Sequence, residues 1–202
     1  ILEGLERYSG MESRYKKTVI SEAYDKLKSK ALDPITLGLH SEKQYEQPGF
    51  IFKKYKSDKK INWVWGYSLS NKECILVPES IGYYGINIRD YSENRFVYEI
   101  SNGCALGGSL LEACMSGMLE VIERDAFLIT WYTKIPLPIL DISKIENKEI
   151  KLMISRFQYN FSYQIHIFDM TLDTGVPTVL ALAKNMNEDN RMNIMCAAGC
   201  NM

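Results

Sequence analysis

The sequence predicts an α+β chain, in which a mixed, largely antiparallel sheet packs with helices. Strand-like and helix-like segments mix along the 202 residues without the regular strand–helix–strand rhythm of a doubly wound sheet. Several short runs are rich in β-branched and aromatic residues and bounded by turn residues. One long helical pattern, over 110–132, is apolar almost all round. The chain is 46% hydrophobic and 24% charged, as an ordinary globular chain is. At this length a core can bury roughly 70% of the surface that the unfolded chain exposes.

The elements follow in order. Residues 1–10 read as the end of a helix, with Glu3, Glu6 and Arg7 on one side and Leu2 and Leu5 adjacent. Residues 11–30 are polar with helical content, and Ser21-Glu22-Ala23-Tyr24 is placed to open a helix. Leu32-Asp33-Pro34 is a turn, because the residue before proline avoids the helical region. Residues 40–60 are polar and Lys-rich and read as a solvated loop. Ile61–Ser68 carries Trp63, Val64, Trp65 and Tyr67 and reads as a strand. Cys74–Pro78 is a second strand closed by proline, and Phe96–Ile100 a third candidate. Ser109 with Glu112 forms a capping-box pattern that starts the long helix. Pro136 and Pro138 end that region, and 146–158 is the next helix. Strands are predicted at 163–169 and 176–184, then a turn from Asn185 to Asn190 and a last strand at 192–197. The sequence shows no internal repeat and no low-complexity segment.

Charge and composition exclude several functions. Lys and Arg total 24 against 25 Asp and Glu, a net charge of −1. Non-specific nucleic-acid and membrane-surface binding need a positive field that this balance does not supply. No apolar run approaches the ~20 residues of a membrane span. Carboxylates arrive too early in Ile1–Arg7 for a signal peptide. The five cysteines, Cys74, Cys104, Cys114, Cys196 and Cys200, are odd in number and widely spaced. That argues against a disulfide framework and for a reducing, cytoplasmic home. Cys196 and Cys200 lack both the spacing and the second pair of a zinc knuckle, and read as small packed residues. The only histidines are His40 and His166, and the latter lies in a strand-like run, so a hydrolase built on an imidazole base is disfavoured. The chain has no Walker A sequence. Asp169–Gly175 superficially resembles a calcium loop, but its glycine comes one place late and Leu180 holds the twelfth position. It reads as a turn between strands, punctuated by Gly175 and Pro177.

The long helix carries the chemistry. With Glu112 at the origin and about 100° per residue, Glu123 falls near 20°, Ser116 near 40°, Glu120 near 80° and Arg124 near 120°. A narrow acidic strip therefore runs along a helix whose other residues are apolar, which predicts that the helix is buried and the strip faces inward. Carboxylates so spaced resist desolvation unless a cation compensates. Mg2+ suits hard carboxylate oxygens and bridges to phosphates. Arg124 is placed to balance charge or to grip a phosphate oxygen. The alternative is a partly exposed helix whose glutamates reach water and whose Arg124 pairs with Glu120. Glu3, Glu6 and Arg7 repeat the E-x-x-E-R spacing of Glu120, Glu123 and Arg124. Two such pieces could enclose a two-metal triphosphate site. Gly107-Gly108 could bring backbone N–H groups to a phosphate, and is equally a plain turn.

Motifs along nearly the whole chain resemble the YcaO superfamily, and within it the streptolysin-type cyclodehydratases of azole-containing peptide biosynthesis (the SagD-like branch). They are Glu3-x-x-Glu6-Arg7-Tyr8-Ser9, Leu32-Asp33-Pro34-x-Thr36-Leu37-Gly38 and Trp65-Gly66-x-Ser68-Leu69. Ser101-Asn102-Gly103-x-Ala105-x-Gly107 then runs into Glu112-Ala113 and Glu120-x-x-Glu123-Arg124-Asp125-Ala126-Phe127. Asp169-x-Thr171-x-Asp173-x-Gly175-Val176-Pro177 and Gly199-Cys200 complete the set.

The resemblance implies a YcaO-type fold that binds ATP and Mg2+ without a P-loop. It implies metal ligands or their supports at Glu3, Glu6, Glu112, Glu120 and Glu123. Arg7 and Arg124 would contact phosphate, with Ser101 and Asn102 near the nucleotide. The implied reaction is a cyclodehydration of a ribosomal precursor peptide: a Cys, Ser or Thr side chain attacks the preceding carbonyl, ATP phosphorylates the oxygen, and phosphate leaves an azoline. Implied partners are the precursor peptide, an E1-like leader-binding protein, a flavin-dependent dehydrogenase and a second copy of the chain, with no nucleic acid or membrane. Other YcaO backbone activations, to a thioamide or amidine, share the machinery, and a non-catalytic docking scaffold is the reading from another class. Ile1 and Met202 fall where the family's remaining motifs would continue. The expectation is the central part, 1–202, of one YcaO domain truncated at both ends, and an inactive fragment.

Overall fold

The computed structural model describes residues 2–10, 18–83, 95–186 and 194–200, without the side chains of Leu2, Glu3 and Met195. The chain divides into two compact units, Ile1–Leu106 and Gly107–Met202. The predicted α+β class holds in each.

In the first unit, helix α1 spans Leu2–Gly10. Strands β1 (Ile20–Ala23), β2 (Lys60–Ser68) and β3 (Glu73–Pro78) form an antiparallel sheet in that order. Trp63 is the centre of it. It stands opposite Ile20 on one side and Pro78 on the other, and it is fully buried. Its indole N–H donates to the Glu22 carbonyl at 2.9 Å, and its ring stacks on Tyr24 with centroids 6.2 Å apart. A buried indole needs such a partner for its one polar atom. Ala31, Ile61, Leu76 and Phe96 complete the buried cluster. Residues 30–32 run parallel along the outer edge of β3, with Leu32 N–H to Leu76 O at 2.8 Å and Leu76 N–H to Lys30 O at 2.7 Å. The predicted turn at Asp33-Pro34 opens a 3-10 helix, Pro34–Leu37, which Asp33 caps through Ile35 N–H at 3.0 Å.

Three expectations change in this unit. Ser21–Tyr24 does not open a helix. Residues 20–23 are β1, because pairing with Lys60–Trp63 outweighs a weak local signal, and only Tyr24–Lys26 turns helically. Phe96–Ile100 forms no strand: Phe96 is buried against Tyr55, with centroids 5.0 Å apart, in irregular backbone. Residues 40–60 are largely solvated, as expected, but they are not wholly loop. They contain the short helix α2 (Glu42–Tyr45) and bury Phe52, whose ring centroid lies 4.6 Å from that of His40. Phe50 and Tyr98 pack on the same imidazole, and the Arg95 guanidinium lies 4.8 Å over Phe52. A second short helix, α3 (Glu79–Gly82), follows β3.

In the second unit, α4 (Leu110–Thr133) precedes β4 (Ile139–Leu140), α5 (Lys148–Phe161), β5 (Tyr163–Asp169), β6 (Thr178–Asn185) and β7 (Ile194–Cys200). The four strands make one antiparallel meander in chain order. α4 rests on β7 and β6, and α5 on β5. Asn147 caps α5 by accepting from Glu149 and Ile150 N–H at 2.9 and 3.2 Å. Part of the predicted turn after Asn185, at 187–190, lies outside the described residues, as do 11–17 of the polar stretch near the start. The Asp169 segment is a turn between strands: Asp169 accepts from Thr171 N–H at 2.9 Å, and Gly175, at φ 68°, donates to Leu172 O at 3.0 Å. All five cysteines are free thiols. No described helix is long and apolar enough to cross a membrane.

Trp63→Ala should cost about 3–5 kcal/mol in a urea titration, since it deletes the largest buried ring. Tyr55 gives a second test. Its hydroxyl is buried and has no hydrogen-bond partner among the described residues. Burial, aided by Asp33, pushes its pKa up to about 12. The folded state keeps this proton where the unfolded state loses it, so stability falls as pH rises from about 10 to about 12. Tyr55→Phe should remove that increment of alkaline loss, and should gain about 1 kcal/mol at neutral pH by deleting an unsatisfied group.

Candidate functional site

The start of α4 is set by local bonds. Ser109 is the N-cap, in extended backbone at φ −145° and ψ 163°, and its hydroxyl accepts from Glu112 N–H at 3.2 Å. The Glu112 carboxylate turns back and accepts from Gly108 N–H at 2.8 Å. The predicted capping box is thus present in a shifted form, reaching the residue before the cap. Gly107 is sterically required. A Cβ there would lie 2.5 Å from Ala113 N and 2.8 Å from Glu112 Cβ. Nothing in the sequence but the glycine itself signals this approach.

Further along α4, Glu120 and Glu123 are half-buried while Ser116 and Arg124 are exposed, so the strip faces inward only in part. Arg124 Nε lies 3.8 Å from Glu120 Oε1, the i, i+4 pair that the alternative reading expected. Burial raises the Glu123 pKa, Arg124 opposes it, and the Glu120 charge raises it further. The strip is therefore a place where negative charge is held at a cost that a cation would relieve. Glu112 stands exposed at the first turn, engaged in capping. The expectation of a buried helix is corrected. Of its residues only Gly117 and Ala126 are buried, and Leu110, Leu111, Trp131 and Tyr132 are largely exposed. The apolar pattern records a preference for cover, while the strands of this unit reach only part of the circumference.

The other predicted residues lie in the first unit. On α1, Glu6 is half-buried and Arg7 exposed, and Glu3 belongs to the helix by its backbone. Ser101 and Asn102 occupy a turn closed by Cys104 N–H to Ser101 O at 2.9 Å. Gly103, at φ 84°, supplies the left-handed position that this turn needs. Asn102 borders a cleft of about 360 Å3 with walls from Leu37, His40, Ile81, Val97, Tyr98 and Ile100. Sequence spacing could not reveal it, because the walls come from three separate segments. Among the described residues, no three His, Cys, Asp or Glu side chains close around one point. The donor chemistry of Glu120 and Glu123 nevertheless fits a hard divalent ion.

Residues 1–202 match the family described as YcaO cyclodehydratase, ATP- and Mg2+-binding. The chain belongs to the YcaO family. An uncharacterized protein of Methanothermobacter thermautotrophicus is 29% identical over 183 residues, 91% of this chain and 43% of that protein. Among solved structures, the heterocyclase TruD is similar with a TM-score of 0.84 at 24% identity, covering 99% of this chain and 30% of TruD. The YcaO protein of Methanopyrus kandleri, solved with AMPPCP and Mg2+, is similar with a TM-score of 0.67 at 18% identity, covering 99% of this chain and 45% of that one. These structures share the fold. This YcaO chain spans less than half the length of the proteins it matches.

The Gly107 approach is testable. Gly107→Ala should cost about 1–3 kcal/mol in a urea titration, because backbone must move. Gly108→Ala should cost less, since its Cβ meets only the far end of the Glu112 carboxylate, at 3.2 Å. Equal losses would contradict the steric account.

Proposed function

We propose that the protein carrying this chain is an ATP- and Mg2+-dependent cyclodehydratase acting on a ribosomal precursor peptide. What carries the reading is the acidic strip of α4, with its raised Glu123, in a chain that matches the YcaO family along its whole length. By the family resemblance, Glu3, Glu6, Glu112, Glu120 and Glu123 hold or support the metal. Bound Mg2+ would supply charge neutralisation of the nucleotide phosphates.

The chain's own residues do the rest. Glu120 and Glu123 present half-buried oxygens one turn apart on a rigid helix, so little reorganisation is needed to receive a cation. Arg124 has its charge shared loosely with Glu120, at 3.8 Å and largely in solvent, and is able to turn to a phosphate oxygen. Arg7 is assigned the same role from α1. Ser101 and Asn102 are assigned to the nucleoside end. The apolar walls of the cleft beside Asn102 and the single amide at its border suit a purine ring.

In the proposed reaction a Cys, Ser or Thr side chain of the peptide adds to the preceding backbone carbonyl. The resulting oxygen takes the γ-phosphoryl group and ADP departs. The C–O bond then breaks, phosphate carries the oxygen away, the former amide nitrogen loses its proton, and an azoline remains. Positioning and charge stabilisation are enough for such a transfer. It requires no histidine base, consistent with only two histidines in the chain. The proposed partners are the precursor peptide, an E1-like leader-binding protein, a flavin-dependent dehydrogenase that would oxidise the ring, and a second copy of the chain in a homodimer.

The test incubates the full-length protein, its leader-binding partner and a precursor peptide with Mg-ATP, and follows peptide mass. Each ring should remove the mass of one water. Chelation of Mg2+ should stop the loss and its return restore it. Glu123→Gln should lower the rate by at least about a hundredfold, a loss comparable to deleting one group that stabilises transition-state charge, while its melting temperature shows it folded. A gain of mass by exchange of oxygen for sulfur would instead indicate a thioamide product. Water loss without ATP would contradict the proposal.

A further inference from the structure

Helix α5 rests on β5, with the Phe157 ring 5.9 Å from that of Tyr163. The side of a surface helix away from such contacts is ordinarily polar. On α5 it carries Leu152, Met153 and Tyr159, which are 51%, 69% and 89% exposed. With Glu149 at the origin and about 100° per residue, Tyr159 falls near −80°, Leu152 near −60°, Arg156 near −20° and Met153 near 40°. These five residues form one stripe, and Lys151, near −160°, lies off it.

The two charges of the stripe have no partner on their own helix. Ion pairs on a helix join positions three or four apart. Towards each other along the chain, Glu149 and Arg156 both meet Leu152 and Met153 at those positions. Away from each other, Glu149 meets Ile145 and Glu146, and Arg156 meets Tyr159 and Asn160, none of them a counter-charge. Glu149 and Arg156 themselves stand two turns apart, about 10 Å along the axis. Both are exposed, and neither joins an ion pair among the described residues.

The stripe is its own complement. A two-fold axis crossing α5 between Leu152 and Met153 sets Glu149 of each copy against Arg156 of the other, and Leu152 against Met153. A parallel pairing would set Glu149 on Glu149 and Arg156 on Arg156, and like charges repel. The charges therefore select an antiparallel pair with two-fold symmetry, the commonest arrangement of homo-oligomers. Apolar contact then lies at the centre and an ion pair at each end.

We propose that this face of α5 docks on the same face of a second copy, antiparallel, with Glu149 of each paired to Arg156 of the other around Leu152 and Met153. This names a surface for the homodimer proposed above and rests on that part of the reading, and on none of the phosphoryl-transfer chemistry. A single helix pair buries less than the ~1,200–2,000 Å2 of a standard interface, so the dimer should dissociate on dilution.

The experiment follows the mass of the full-length protein by sedimentation equilibrium over a dilution series. The wild type should pass from dimer to monomer. Glu149→Arg and Arg156→Glu should each weaken dimerisation at least about tenfold, since each places like charges at both ends. The double variant Glu149→Arg, Arg156→Glu should regain the wild-type affinity. The two single variants, mixed, should form a heterodimer, because both ends then join arginine to glutamate. Lys151→Glu, off the stripe, should leave dimerisation intact. Circular dichroism and melting check that each variant folds. A monomer at every concentration, single variants that dimerise as well as the wild type, a double variant as weak as the singles, or an equal loss with Lys151→Glu would overturn the proposal. The readout is mass and not turnover, so failure of this surface and failure of the cyclodehydratase reading are told apart.

Discussion

The acidic strip depends on where α4 begins. A helix is rigid, so its first turn sets the direction of every later side chain, and a slip of one residue would rotate Glu120 and Glu123 by about 100°. The start is fixed three times over: by the Ser109 hydroxyl, by the Glu112 carboxylate on Gly108, and by the contact that leaves no room for a side chain at Gly107. This also explains why Glu112 stands apart from the two later glutamates in exposure and in bonding. Its carboxylate holds the helix start, and Glu120 and Glu123 hold charge.

Much of this was legible because it is local. The cap, the helix boundaries, the E-x-x-E-R spacing and the turn at Gly175 all depend on residues within a few positions of each other. What could not be read depends on distant partners. Ile20–Ala23 became a strand because Trp63 needed a neighbour on that side and a carbonyl for its indole N–H. Residues 40–60 looked polar throughout, yet Phe52 and His40 join Tyr98 from far along the chain, and the lysines between them line a concavity. The apolar circumference of α4 suggested burial, but hydropathy states only what a side chain prefers. Leu111 and Trp131 are exposed in this chain all the same.

Two polar regions differ in physical kind. On α4 like charges are partly desolvated, which raises the Glu123 pKa and favours a small, hard, doubly charged ion. Around Lys53–Lys59 like charges remain in water, where screening is strong and the gain from any one pair is small. The first can be selective for a single ion.

The meander of the second unit has a consequence for synthesis. β5, β6 and β7 pair only with sequence neighbours, so their contacts are short-range and their assembly is quick. α4 emerges from the ribosome first of these elements, but the strand it rests on most, β7, emerges last. The helix that bears the carboxylates therefore waits, through the translation of three strands and a second helix, for the surface that fixes it. During that interval its apolar residues are open to chaperones.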